Sequence, residues 1–189
     1  MDLIAWLQDD IALIRDRLDR QVWSCVPEHQ RADLADGGGA SLTFLAWHLA
    51  RHADTAVNAV VRQRAPMVED WLGRLGLEAL PAGAGLPEAE DEALTARLDP
   101  EATAAYLDAV LADTAAWLGA AGPAALAAPA DAVPGLERAG VPAGTLPWLE
   151  AMWAGQDGAF HVRWEVIGHG FNHLGEMVSV RNRLGLSPF

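Results

Sequence analysis

The sequence predicts an all-α fold, a four-helix bundle with long connections between helices 2 and 3 and between helices 3 and 4. Three observations carry this. Apolar residues recur at steps of three and four in several long stretches, capping residues stand at the starts of those stretches, and no β-rich segment of persuasive length occurs anywhere in the 189 residues. That length, with about half the residues apolar, suits one domain over residues 1–189 with a substantial core.

The first helix is expected over residues 3–22, where Ile4, Leu7, Ile11, Ile14, Leu18 and Val22 form one apolar stripe between Asp, Arg and Gln. Gly37, Gly38 and Gly39 break the pattern, and Ser41 offers an N-cap for a second helix running to about Arg64. Pro66 ends it. The chain to Pro87 then reads as a crossing connection with short helical turns near Trp71–Leu80, and the acidic run Glu88–Glu92 as a solvated loop. Asp99-Pro100-Glu101 starts the third helix, because aspartate caps, proline suits the first turn and glutamate favours the positive end of the dipole.

From Gly119 to Gly158 the chain is rich in Ala, Pro and Gly and is expected to be a surface connection, with a short helix at Thr145–Glu150. The fourth long helix is expected from about Gln156 to Leu184-Gly185. Its stripe, Val162, Val166, His169, His173, Glu176 and Val180, places two histidines where core leucines would stand. Gly168, Gly170 and Gly175 surround them, each costing about 1 kcal/mol of helix stability relative to alanine, which favours a site over filler.

Thirteen basic against 26 acidic residues give a formal charge of −13, which repels nucleic-acid phosphates and anionic membrane surfaces, so neither is an expected partner. One cysteine, Cys25, permits no internal disulfide, and the acidic amino terminus lacks the positive charge of a signal peptide. Cytoplasmic residence is the expectation. Cys25 itself, with only His29 nearby, reads as a plain thiol.

The chemistry lies in the histidines. His169 and His173 are four apart, and so are His48 and His52 on the second helix, so each pair points to one side of its helix. Two imidazoles on one face make half of a metal site, and a third ligand from a facing helix leaves at least one coordination position open, as a catalytic centre requires. Spacing alone does not choose between His48 and His52. Such a cation acts as a Lewis acid that lowers the pKa of bound water or deprotonates a bound thiol. Trp47, Trp164 and Phe171 stand where they can wall a pocket, Arg51 where it can steer a carboxylate, and Glu176 where it can orient His173 or His169.

The strings Phe44-Leu-Ala-Trp-His-Leu-Ala-Arg-His52 and His169-Gly-Phe-Asn-His-Leu-Gly-Glu176 resemble the DinB-like superfamily of damage-inducible bundle proteins, which includes bacillithiol transferases and mycothiol-dependent maleylpyruvate isomerases. The resemblance implies His48, His169 and His173 as metal ligands and catalytic groups, with His52 lining the pocket. His52, Arg51 and Trp47 become the candidate cofactor-binding residues. The ion implied is zinc or nickel. It would bind a low-molecular-weight thiol such as mycothiol or bacillithiol and present the thiolate to a small electrophile. The isomerases resemble this pattern with glutamate at the position of His169, so the all-histidine set is closer to the transferase and uncharacterised branches.

Two other functions fit the same residues: a metal-dependent hydrolase with Glu176 or Asp54 as proton shuttle, and a non-enzymatic stress-response bundle that binds metal for stability. A homodimer is also expected, with Trp6 and Tyr106 as candidate interface aromatics.

Overall fold

The computed structural model describes residues 2–188, and among them every regular element is helical. Helix α1 (Leu3–Leu18) starts where the Asp2 side chain accepts from the Ile4 amide at 3.0 Å, and its buried residues are Ile4, Leu7, Ile11, Ile14 and Leu18, the expected stripe. A π-helical turn, Asp19–Trp23, carries it on to bury Val22. Helix α2 (Leu42–Asp54) is capped by the Ser41 hydroxyl, which accepts from Phe44 N at 3.1 Å, and continues as a π-helical segment, Thr55–Val61. All thirteen residues of α2 are buried, so it is the central element and shows no solvent face.

Four short or long helices complete the middle of the chain: α3 (Val68–Trp71), α4 (Glu92–Thr95), α5 (Pro100–Ala121) and α6 (Pro123–Ala127). Asp99 caps α5 as expected, accepting from Ala102 N at 2.7 Å. Helix α5 packs on both α1 and α2. Asp54, at the end of α2, binds this region together: it accepts from the Asn58 amide, from the backbone of Met67 and Val68, and from the Tyr106 hydroxyl at 2.6 Å. Tyr106 is thus fully buried and is no surface residue, contrary to the interface expectation, whereas Trp6 is exposed beside Leu3 and Leu13 on α1.

The stretch after α5 departs from the expected surface strap. It folds into α6, α7 (Ala132–Arg138), α8 (Pro147–Trp153) and α9 (Gly158–His161), and it has a core of its own in which Leu136, Val141, Leu149 and Trp153 are fully buried against Val60 and Leu86. Helix α7 lies so close to the Thr55–Val61 segment that a Cβ on Gly135 would stand 2.4 Å from Val60. The last long element runs from α9 through a π-helical segment, Val162–Gly168, into α10 (His169–Arg183), which packs on α2 and α1. Gly170 serves that packing, since a Cβ there would meet Ile14 at 2.9 Å, while Gly175 faces open space. The glycines around the histidines therefore serve helix contact at one position, and nothing in the structure explains Gly175. No helix among the described residues is long and apolar enough to cross a membrane.

Candidate metal centre

Helices α2 and α10 meet where His48 faces His169 and His173. The Nε2 atoms of His48 and His169 are 3.1 Å apart, and those of His173 and His169 are 2.8 Å apart. An ion bound at about 2.0–2.1 Å from each nitrogen needs ligand atoms roughly 3.0–3.4 Å from one another, so these separations are already close to a coordination sphere.

The outer nitrogens fix which atoms converge. His48 Nδ1 lies 2.8 Å from the Gly85 carbonyl, which only accepts, so Nδ1 carries the proton and Nε2 presents its lone pair. His173 Nδ1 donates in the same way to the Glu176 carboxylate at 2.8 Å. His169 has no partner on Nδ1, which is 4.0 Å from Glu165 Oε2, and its Nε2 faces both other rings. With its proton on Nε2, His169 serves one neighbour and leaves the other unpaired; with the proton on Nδ1, three lone pairs converge and repel, and a cation among them relieves either arrangement. Burial pushes His48 down to about 3, helped by neighbouring His52 and His173 and opposed by the Gly85 hydrogen bond. Burial likewise lowers His169 to about 2, with His52, His48 and His173 adding to it. Both rings are neutral at pH 7, the form a metal ligand requires.

His52 takes a different place. Its Nε2 donates to the Leu86 carbonyl at 2.8 Å and its Nδ1 faces Glu165 Oε2 at 2.8 Å, with both side chains almost wholly buried. Glu165 also accepts from the indole nitrogen of Trp153 at 2.5 Å. Both His52 partners are acceptors, so this pair holds a proton between ring and carboxylate beside the histidine cluster.

Two carboxylates join the site: Glu88, expected in a solvated loop, and Glu165, for which the sequence predicts no role. Glu88 Oε2 is 3.6 Å from His48 Nε2 and 3.9 Å from His173 Nε2, and with the three histidines it makes a group that could hold a metal ion; His52, Glu165 and His169 make a second such group. Glu88 is held over the site by its loop. The carbonyls of Ala84, Gly85 and Leu86 accept from Arg51, His48 and His52 in turn, and Glu90 accepts from both the backbone and the hydroxyl of Ser41 at 2.8 Å. Glu165 did carry a signal, since it stands one further step of four before His169. The π-helical turns from Val162 to Gly168 return it beneath that ring.

Trp47 and Arg51 are not brought into the cluster. Both are fully buried under the 84–86 loop, with the guanidinium 5.7 Å from the indole ring centre, and they support the loop rather than line the cavity. A Cβ at Gly85, whose φ is +81°, would stand 2.4 Å from Trp47 Nε1. Trp164 does line the cavity beside the histidines, together with Glu88, Trp148, Met152 and Asn172; its volume is about 250 Å³. Phe171 is only partly buried and packs on the main core. Asp54 is held by four donors away from the histidines and is unavailable as a proton shuttle there.

The fold and this cluster define an all-helical protein with a buried site of imidazole and carboxylate groups. No family model matches the chain, and no curated protein matches it. Among solved structures it is similar to the crystal structure of a conserved protein from Enterococcus faecalis, with a TM-score of 0.71 over 98% of this chain and 99% of that one. The two share 17% of their residues, so the likeness is one of fold.

Proposed function

We propose that the chain is a divalent-metal protein of the DinB-like type, its four long helical segments forming the bundle and His48, His169 and His173 holding zinc or nickel. The observation that supports this most is the convergence of three Nε2 atoms, two of them set as acceptors by hydrogen bonds on the far side of their rings. Neutral imidazoles would leave the charge of a bound divalent ion uncompensated, and Glu88 stands where it would help hold that ion. In this reading the ion supplies Lewis acidity that turns a low-molecular-weight thiol into a thiolate for transfer to an electrophile. The chain's own part is to orient the ligands through Gly85 and Glu176, wall the cavity with Trp164 and Trp148, and hold a proton at His52–Glu165.

Elemental analysis of protein purified without a metal-affinity tag tests the first step: one divalent ion per chain is expected, and none in His173→Ala. Stoichiometric metal that persists in His173→Ala would falsify the ligand set. A thiol dependence of the activity tests the second. Glu88 at the mouth favours one competing reading, a hydrolase in which it takes a proton from bound water. Chelator-sensitive ester hydrolysis without added thiol, lost in Glu88→Gln, is what that reading expects. A homodimer through the exposed Leu3, Trp6 and Leu13 side of α1 and a cytoplasmic location complete the proposal.

A further inference from the structure

The cavity beside the histidines has an unusual balance of chemistry for a site that would receive an organic molecule. Its titratable wall residues are the carboxylates Glu88 and Glu165 and the histidines, and no arginine among the described residues lines it. Glu165 is occupied with His52 and Trp153, which leaves Glu88, 68% exposed at the mouth, as the free charge facing an incoming molecule. Two tryptophans flank it, and both are large apolar groups left open to solvent, Trp148 at 44% and Trp164 at 50%. The nearest guanidinium along the chain from Trp164, that of Arg163, lines the neighbouring cavity, which shares Trp164 with this one.

A carboxylate sharing a cavity with two half-exposed indoles suits a cationic group, because the faces of tryptophan carry negative charge in their quadrupole. It repels a ligand carboxylate. The chain's −13 charge acts in the same direction at longer range. The volume, about 250 Å³, lies below the usual range for drug-sized ligands and limits the buried part of the ligand to roughly ten non-hydrogen atoms.

Resting on the metal–thiol reading above, we infer that the thiol this site takes is an aminothiol, its ammonium received by Glu88 and the faces of Trp148 and Trp164 while its sulfur occupies the open metal position. Glu88 then serves the ligand's amine when sulfur takes the fourth position. Binding releases the thiol proton to the buffer, and the ammonium keeps its own. Glu88, Trp148 and Trp164 are the specificity-determining residues.

The test uses the full chain saturated with Co²⁺, titrated with cysteamine, 2-mercaptoethanol and mercaptoacetate, which present a cation, a neutral hydroxyl and an anion on the same two-carbon scale. Sulfur-to-cobalt absorption reports the thiolate, and tryptophan emission reports the amine end. Cysteamine should bind most tightly and mercaptoacetate least, each step about fivefold, the upper end for one partly exposed charge pair. The ratio of cysteamine to mercaptoacetate affinity should narrow with salt and collapse in Glu88→Gln. Trp164→Ala should weaken cysteamine more than mercaptoethanol. Equal affinities, or mercaptoacetate binding best, overturn the aminothiol inference and leave thiol activation standing. No absorption band with any of the three removes the thiol reading and the inference together.

Discussion

His173 illustrates how much one side chain must do at this site. It offers Nε2 to the cluster and gives Nδ1–H to Glu176, a contact that sets its tautomer and ring orientation. Glu176→Gln keeps the shape but removes the charge, and the expected outcome is a 10- to 100-fold loss of metal affinity, about the usual cost of an outer partner, measured by competition with a chelating dye. The sequence made His48, His169, His173 and Glu176 legible because steps of three and four on helices translate directly into a shared face. Glu88 was hidden in an acidic run whose ordinary place is solvent. Its position depends on backbone carbonyls of residues 84–86 meeting side chains of α2, and no pattern of residue types records that. Trp47 and Arg51 misled for a related reason: α2 is buried all round, so spacing says which residues share a face but not which face meets the site.

The elements were legible in proportion to their length. Helices α1, α2 and α10 fall within the expected stretches, and α5 starts where expected but runs past Leu118 to Ala121, with Ser41 and Asp99 capping as expected. Helices α6 and α7 escaped because five or seven residues rich in Ala, Pro and Gly are too few to display a period, and their burial depends on partners such as Val60. The π-helical segments are invisible to a reading built on a 3.6-residue period. The 84–86 loop makes a prediction at this scale. Gly85→Ala must place a Cβ against Trp47 and Arg51 at a positive φ, and a loss of about 2 to 4 kcal/mol in a urea melt is expected. Metal affinity should fall with it, since the same residue anchors His48.

At the scale of the molecule, acidity is the informative variable. His48, His169 and buried His161 sit below the ordinary histidine value of 6.5, at about 3, 2 and 4, with burial the largest cause for each. The unfolded chain therefore binds more protons than the folded one from pH 6.5 downward, and stability falls as pH falls through that window toward 3. The metal-free protein should melt at progressively lower temperature from pH 7 to pH 4.5, followed by circular dichroism. An unchanged melting temperature across that interval would mean these rings are not neutral when folded.

Four tethers join the 84–90 segment to a single helix, and two of them begin on His48 and His52. Whatever steadies those imidazoles also steadies the strap above them. An ion held by His48 would therefore slow protease cleavage between residues 84 and 90, which limited proteolysis with and without added metal measures.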